Sequence, residues 1–376
     1  KKGRHHYRTT TLRFVLMETL KSDAIALLKQ LISTPSFSKE EVETAAFIEQ
    51  FLANKGASPQ RQGNNVWAFA SPYRPHLPSI WLNSHHDTVK PNTGYTQDPF
   101  SPIEKEGKLF GLGSNDAGGP LVALIATFCY FIGKNLPFNL LLLASAEEEI
   151  SGSNGISSLL GLLPPAELVL VGEPTQLKLA IAEKGLLVID GSLTGKAGHA
   201  AREEGINAIY LALNDLKKIK NYKFSKVSPF LGPTKVSCTV IHAGEQHNLV
   251  PELCHYVLDV RVNELYTHEE VFDELKVALD ATLVPRSMRL RSSCLPEGHL
   301  LHEVGKSLGL ETFGSPTLSD QALIPYPSAK IGPGDSARSH TADEFIFIQE
   351  VEDGISRYIS ILETYASHSL HPSTTL

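Results

Sequence analysis

The chain has 376 residues and a formal net charge of −7 at neutral pH. This length exceeds what one ordinary hydrophobic core holds, which indicates two domains. The acidic balance, with no basic stripe to neutralise phosphates, argues against a nucleic-acid partner, and no apolar run approaches the roughly 20 residues of a membrane-spanning helix.

The first part of the chain alternates helical and strand-like segments. Residues 1–16 are basic, threonine-rich and free of acid, and we expect a non-native or disordered extension there. A helix is predicted over 18–33, and Ser38–Glu41 has the pattern of a capping box that opens a second helix ending at Lys55. Short apolar runs at 66–70, 79–83, 140–145 and 168–171 suit buried strands, with an apolar helix at 120–132. This alternation predicts an α/β sheet flanked by helices.

The pattern changes after Gly185. Strand, helix, strand, strand, helix and strand follow in turn, at 186–194, 203–219, 234–242, 254–262, 268–281 and 288–295. This order is ferredoxin-like. We therefore predict an inserted domain over 185–296 that divides a catalytic domain into residues 17–184 and 297–376. The returning part carries a helix at 299–309, short strands near 312–316 and 329–331, and a last helix at 342–365.

Five short clusters carry residue types that bind zinc, and each lies beside a turn or at a strand end. They are His85-His86-Asp87, Asp116, Glu147-Glu148-Glu149, Glu173 and His340. Zinc takes imidazole nitrogens and carboxylate oxygens, and a pair of zinc ions needs about this many ligands plus one carboxylate free to move protons. One cluster alone is typical of a surface or core motif, whereas all five in this order indicate a metal centre.

The clusters lie in motifs that resemble the M20 family of zinc aminoacylases and peptidases, closest to acetylornithine deacetylase-like members. The motifs are HxDxV at 85–89, GxGxxD at 111–116, the EE pair, GEPT at 172–175 and GPG…H…DE at 332–344. The resemblance extends from about Met17 to Tyr365 and implies a zinc-exopeptidase-like mixed sheet with an inserted lid and dimerisation domain. Three features depart from the family: Gly118 replaces a lysine, the Glu pair is a triple, and His86 adjoins His85.

The resemblance also implies how the metal ligands are shared. One ion is held by His85 and Glu173, the other by Glu149 and His340, and Asp116 bridges both. It implies a cis peptide bond between Asp116 and Ala117. The cofactor prediction is two divalent metal ions, zinc in the first place and cobalt as the alternative.

Further residues receive roles around this centre. Glu148 aligns with the general base, while Asp87 orients His85, and His86 faces the other way because side chains alternate along a strand. In the inserted domain the resemblance makes His199 an oxyanion donor supplied by the partner subunit. It assigns Asn248 and Arg261 to the substrate carboxylate, which a planar guanidinium binds well.

The predicted function is removal of the acyl group from an N-acyl amino acid, of the acetylornithine deacetylase type in arginine biosynthesis. A succinyl-diaminopimelate desuccinylase or an M20 dipeptidase is the alternative in the same class, and a catalytically inactive metal-binding scaffold is the alternative in another. The chain has no G-x-S-x-G elbow of a serine hydrolase. We expect a cytoplasmic homodimer that acts on a small-molecule substrate, with no membrane partner.

Overall fold

The computed structural model describes residues 2–202 and 204–370. They form two compact units. The first contains the chain up to Ile181, Leu295–Phe313 and the residues from Ser319 onward, and the second contains Ala182–Cys294 and Gly314–Leu318. The insertion that we placed at 185–296 therefore corresponds to a unit that also includes the short returning segment Gly314–Leu318.

The helices are α1 (Lys2–Ile32), α2 (Val42–Asn54), α3 (Gly119–Phe131), α4 (Ala208–Asn221), α5 (His268–Ala278), α6 (Leu300–Ser307) and α7 (Ile348–Leu370). The strands are β1 (Gln60–Gln62), β2 (Asn65–Phe69), β3 (Ser79–His85), β4 (Ile103–Lys105), β5 (Lys108–Phe110), β6 (Asn139–Ser145), β7 (Leu168–Val171), β8 (Leu179–Glu183), β9 (Gly185–Thr194), β10 (Gly198–His199), β11 (Val227–Ser228), β12 (Gly232–Pro233), β13 (Lys235–Ala243), β14 (Leu249–Val250), β15 (Leu253–Val262), β16 (Thr282–Pro285), β17 (Ser293–Cys294), β18 (Thr312–Ser315), β19 (Ser328–Lys330) and β20 (Phe345–Phe347).

The first unit is built on a mixed sheet with the strand order β1-β2-β6-β3-β7-β19-β8. Its centre, from β6 through β3 and β7 to β19, is parallel. Alternate residues cover both faces: Leu82 and Leu142 share a core with the helices, while Trp81 and Leu143 pack with Ile156 on the other face. Burial on both faces explains why these strands read as unbroken apolar runs. The predicted mixed sheet flanked by helices is confirmed.

Helix α1 begins well before the predicted start. It includes residues 2–16, so of the two alternatives that we expected there, non-native or disordered, the disordered one is wrong. Nothing between Gly3 and Pro35 ends a helix, since the sequence there contains neither glycine nor proline. Lys1 lies outside the described residues.

The capping box predicted at Ser38–Glu41 is absent. The N-cap residue of α2 is Glu41, whose side chain makes no capping hydrogen bond. Ser38 instead donates to Asp87 Oδ2 over 2.7 Å. A charged acceptor makes a stronger hydrogen bond than a neutral one, which explains why this long-range partner replaces the local cap.

The last helix begins six residues later than we predicted. Strand β20, at Phe345–Phe347, precedes it and pairs with β5. Ile346 is fully buried, and an alternating run of aromatic and β-branched residues fits a half-buried strand better than the first turn of a helix.

The second unit contains an antiparallel sheet with the strand order β13-β15-β9-β16. With α4 and α5 it follows the β-α-β-β-α-β order that we predicted. Of the predicted last strand at 288–295, only Ser293–Cys294 (β17) is a strand, and it pairs with β8. Residues 282–285 take the predicted place beside β9, because α5 ends at Ala278. Leu283 contributes the buried side chain of that strand.

Within the described residues, none of the helices combines the length and the apolar character required to traverse a bilayer.

Candidate metal centre

The carboxyl ends of parallel strands bring the first site residues together. His85 is the last residue of β3 and lies in register with Ser145, the last residue of β6. Glu173 follows the end of β7, which flanks β3 on its other side. Ligands in α/β sheets gather at this edge because the strands end there together and the loops that follow are free to carry polar groups.

His85 is held in one orientation. Its side chain is 1% exposed, and Nδ1 lies 3.0 Å from the backbone oxygen of Asp87. Nδ1–H donates to that carbonyl, and Nε2 is the ring nitrogen that faces Asp116 and Glu173. Nε2 lies 3.4 Å from Asp116 Oδ1 and 3.9 Å from Glu173 Oε1.

Asp116 lies in a tight turn before α3, and the Asp116–Ala117 peptide bond is cis, as the resemblance implied. Its two carboxylate oxygens face different histidines. Oδ1 is 3.4 Å from His85 Nε2, and Oδ2 is 3.6 Å from His340 Nε2. Zinc–ligand bonds of about 2.0–2.1 Å in a tetrahedron place neighbouring donor atoms roughly 3.3 Å apart, so these spacings fit a shared carboxylate.

His340 faces Glu149 across the second half of the site. His340 Nε2 lies 3.2 and 3.1 Å from the two carboxylate oxygens of Glu149. This hydrogen bond raises the pKa of His340 to about 9. Donor atoms of His85, Asp116 and Glu149 also lie within 4.8 Å of one another. We group Glu149 with His340, because the carboxylate oxygens of Glu149 lie only 3.1 and 3.2 Å from His340 Nε2.

The site concentrates negative charge at buried positions. Burial raises the pKa of Glu173 to about 8 and that of Glu148 well above its ordinary value. Burial also lowers the pKa of His85, but the carboxylates of Glu148 and Asp116 outweigh it and hold that pKa well above the usual range. So many carboxylates in a low-dielectric site favour bound cations. These residues therefore fit the two divalent ions that the resemblance implied.

Asp87 organises the turn that carries the acidic triple. Its Oδ1 accepts the Glu148 N–H over 3.0 Å, and its Oδ2 accepts the Glu149 N–H over 3.2 Å. Oδ1 lies 3.4 Å from His85 Nδ1, so the backbone oxygen is the nearer partner of that ring. These contacts are those of a positioning residue, which acts on the acidic turn as well as on His85.

The triple separates into three environments. Glu147 turns away from the histidines and accepts hydrogen bonds from the backbone and side chain of Asn154. Glu148 Oε2 is 3.8 Å from His85 Nε2, whereas Glu149 faces His340. Glu148 therefore lies beside the His85 ring, and Glu149 lies beside the His340 ring.

His86 is a packed residue, as alternation along the strand indicated. Its ring nitrogens lie 2.9 Å from Thr44 Oγ1 and 2.9 Å from the backbone oxygen of Asn64. Burial lowers its pKa to about 4. The ring is therefore neutral at pH 7 and remote from the ligand set.

Comparison with known proteins identifies the family. Residues 81–364 match the sequence model of peptidase family M20/M25/M40. The chain belongs to this family. The acetylornithine deacetylase of Proteus mirabilis (strain HI4320) is 28% identical to it over 364 residues, which cover 87% of this chain and 93% of the relative.

Two solved structures share the fold of this M20 hydrolase. Aminopeptidase PepT from Bacillus cereus ATCC 10987 has a TM-score of 0.76 at 18% identity, covering 92% of this chain and 99% of its own. The YXEP protein of Bacillus subtilis, described as a dinuclear metal-binding peptidase of the M20 family, has a TM-score of 0.69 at 16% identity, covering 92% and 98%.

Two further buried acids lie near these residues, and we predicted a role for neither. Asp320 is buried and accepts hydrogen bonds from Asn83 Nδ2 at 2.9 Å and Ser145 Oγ at 2.6 Å. These donors lie on β3 and β6 next to the ligand edge. The second acid, Glu344, accepts three backbone N–H groups of the Asp116 turn. A sequence signal existed for Glu344, the last residue of the GPG…H…DE motif, but not for Asp320, and the partners of both are distant in sequence.

The remaining predicted residues lie in the second unit. His199 is in β10, which pairs with β14, and the Ala200 N–H donates to the Asn248 backbone oxygen. Arg261 lies near the far end of β15 and makes a two-point ion pair with Asp259. Eight residues of strand, roughly 26 Å, separate Arg261 from the start of β15. Within one chain the structure therefore brings His199 and Asn248 together but leaves Arg261 apart.

Proposed function

We propose that this M20 hydrolase holds two zinc ions, with cobalt as the alternative metal, and removes the acyl group from an N-acyl amino acid. The proposed substrate is N-acetylornithine, in arginine biosynthesis in the cytoplasm. One observation carries the proposal: the two carboxylate oxygens of Asp116 face two different histidines, His85 and His340, over 3.4 and 3.6 Å. A carboxylate whose two oxygens face two imidazoles fits a pair of metal ions about 3.5–4 Å apart.

The proposed ligands fall into two sets that share Asp116. His85 and Glu173 hold one ion, while Glu149 and His340 hold the other. Bound zinc ions supply charge that polarises the scissile carbonyl and lowers the pKa of the attacking water from 15.7 towards about 7. Asp87 fixes His85 and the turn of Glu149, so it contributes to both sets without being a ligand.

Glu148 is the proposed proton carrier. Its carboxylate lies beside His85 but outside both ligand sets, and burial raises its pKa. A carboxylate with a raised pKa accepts the proton of the attacking water and returns it to the leaving amine. Such positioned transfer contributes about 10²–10⁴-fold. An inactive scaffold has no use for a carboxylate in this position.

The substrate class rests on the acetylornithine deacetylase relative and on candidate carboxylate-binding groups in the second unit. Asn248 and Arg261 are the proposed partners of the substrate carboxylate. Because they lie at opposite ends of β15, one unit cannot present both to a single carboxylate. The proposal therefore draws them from two subunits, together with His199 as a donor to the carbonyl oxygen.

The surface of the second unit supports a homodimer. Strand β13 is at the edge of its sheet, and Val240 and Ile241 on it are 41% and 45% exposed. On the neighbouring helix α4, Tyr210 and Leu213 are 69% and 55% exposed. An edge strand beside apolar helix residues is a surface that another copy of the chain covers well.

The proposal is tested with purified, zinc-loaded protein and a panel of amides. N-acetylornithine, N-acetylcitrulline, N-succinylornithine, succinyl-diaminopimelate and a dipeptide are compared by kcat/KM from amine release. We expect the highest value for N-acetylornithine. A higher kcat/KM for succinyl-diaminopimelate or for the dipeptide would show that this compound, and not N-acetylornithine, is the substrate. No hydrolysis by protein that holds two ions would favour the scaffold.

A further inference from the structure

His340 needs support from outside its own loop. Its side chain is 54% exposed, and its backbone φ of 59° lies in the left-handed region, which non-glycine residues adopt only when the surroundings favour it. Asp343, three residues on, has a φ of 52°. A metal ligand in such a loop holds its place only if neighbouring segments fix the backbone.

Glu344 connects this loop to Asp116. Its Oε1 accepts the N–H groups of Asn115 and Asp116 over 2.8 and 2.9 Å, and its Oε2 accepts the Gly113 N–H over 3.1 Å. The side chain is only 2% exposed. Three N–H groups of one turn therefore point at one buried carboxylate, and this fixes the turn that aims Asp116.

Asp343 connects the same loop to the segment Asn92–Gln97. Its carboxylate accepts the Thr96 N–H at 2.9 Å, the Thr96 hydroxyl at 2.6 Å and the Gln97 N–H at 3.2 Å. From the start of that segment, Asn92 Nδ2 donates to the His340 backbone oxygen over 3.2 Å. The segment Asn92–Gln97 thus contacts the loop at both of its left-handed residues, His340 and Asp343.

We propose that Asp343 and Glu344 are positioning residues which together set the place of His340 relative to Asp116, and so the affinity of the centre for its metal ions. The inference rests on the proposed dinuclear centre. Glu344 acts on the shared ligand Asp116, whereas Asp343 acts on His340 alone. Replacing the two residues should therefore have different effects. Loss of Asp343 weakens the binding of one ion, and loss of Glu344 weakens the binding of both.

The test is titration of metal-free protein with zinc, followed by calorimetry and by zinc content after dialysis. In Asp343→Ala we expect one of two ions to bind about 10–100-fold more weakly, the usual effect of removing a residue behind a ligand, with the other ion unchanged. Asp343→Asn, which keeps one acceptor oxygen, recovers part of this loss. Glu344→Gln, which turns an amide N–H towards Gly113, weakens both ions.

Asp353→Ala is the matched control, since it removes an exposed aspartate of α7 in the same unit. It should bind zinc as the wild type does. Thermal unfolding of the metal-free variants separates positioning from general damage. Asp343→Ala should still unfold in one cooperative transition, with its midpoint lowered only by the loss of these hydrogen bonds. Wild-type zinc affinities in both Asp343→Ala and Glu344→Gln would overturn the inference. A wild-type chain that binds a single ion would instead contradict the proposed function. The inference would then still require Glu344→Gln to weaken that ion, because Glu344 acts on Asp116.

Discussion

The carboxylate of Asp87 accepts the backbone N–H of Glu148 over 3.0 Å. It also lies next to the His85 ring, so one side chain ties the end of β3 to the turn after β6. Ser38 donates a further hydrogen bond to it at 2.7 Å. Burial raises the pKa of Asp87, but His85 and Ser38 outweigh burial and hold it below its ordinary value. The group is therefore ionised and acts only as an acceptor.

Replacing Asp87 should show how much its positioning of the acidic turn contributes to turnover. In Asp87→Ala the Glu148 and Glu149 N–H groups lose their acceptor, and we expect kcat to fall about 10–100-fold. Asp87→Asn retains one carbonyl oxygen and should fall less. Zinc content and kcat are measured on the same samples. Full activity in Asp87→Ala would show that the turn holds Glu148 without this carboxylate.

Glu148 and Glu149 should respond differently to the same substitution. Glu148→Gln should keep two zinc ions and lose at least two orders of magnitude in kcat, because the amide cannot accept the proton. Glu149→Gln should lose zinc instead, since it removes a charged ligand of His340's ion. Zinc content per chain and kcat decide between them. The reverse outcome would shift the register by one residue and leave the hydrolase class intact.

Glu147→Gln is the control for this pair. Glu147 is buried against Asn154 and does not face His85 or His340 in the described contacts. We expect Glu147→Gln to hold two zinc ions and to keep a kcat near that of the wild type. A large loss of activity in a folded Glu147→Gln variant would mean that Glu147 also takes part in the reaction.

The metal-free protein should become less stable as pH rises. The pKa of Glu173 is about 8 in the folded chain, above its ordinary value, so the folded state keeps a proton that the unfolded chain has already lost. Stability from this group is full below the unfolded pKa and falls by up to about 1.4 kcal/mol per pH unit as pH rises through 8. The pKa of His340, about 9, acts in the same direction, because its charged form is stabilised by Glu149 until it deprotonates.

Zinc should reverse this dependence, because the ion takes the place of those protons. Thermal unfolding of metal-free and zinc-saturated protein from pH 6 to 8.5 should show a gap between the two midpoints that widens with pH. Glu173→Gln should flatten the metal-free profile. Parallel profiles for the two forms would contradict the assignment of Glu173 and His340 to the metal centre.

Part of the proposed ligand set was accessible from sequence because it lies at the ends of strands whose apolar runs are clear. His85 and Glu173 end parallel strands, and such ends meet at one edge of a sheet. The hydrogen bonds behind the ligands were not accessible. Ser38 to Asp87, or Glu344 to the Asp116 turn, join residues 49 and 228 positions apart, and no local pattern reports such a contact.

Element boundaries failed where a local pattern had two solutions. Residues 288–295 alternate like a strand, yet Thr282–Pro285 pairs with β9, because α5 ends early enough to leave those residues available. Ser38 is a residue type that commonly caps helices, yet its side chain donates its hydrogen bond to Asp87. In both places a tertiary contact outweighed local propensity.

The final prediction concerns whether each active site uses two chains. If His199 reaches the site of the partner subunit, His199→Ala and Glu148→Gln are each inactive alone for different reasons. Removing one donor to a developing oxyanion costs about 10²–10³ in rate. Mixed dimers should then contain one competent site, with Glu148 from one chain and His199 from the other. Because half of randomly exchanged dimers are mixed, activity should return to roughly a quarter of wild type.

The measurement is amide hydrolysis after unfolding and refolding the two variants together, with mixed dimers quantified through different affinity tags. Each variant refolded alone is the control and should stay inactive. Recovered activity should rise in proportion to the fraction of mixed dimers. If mixed dimers form and activity does not return, His199 acts within its own chain or has no part in the reaction, and the proposed role of the second subunit is wrong.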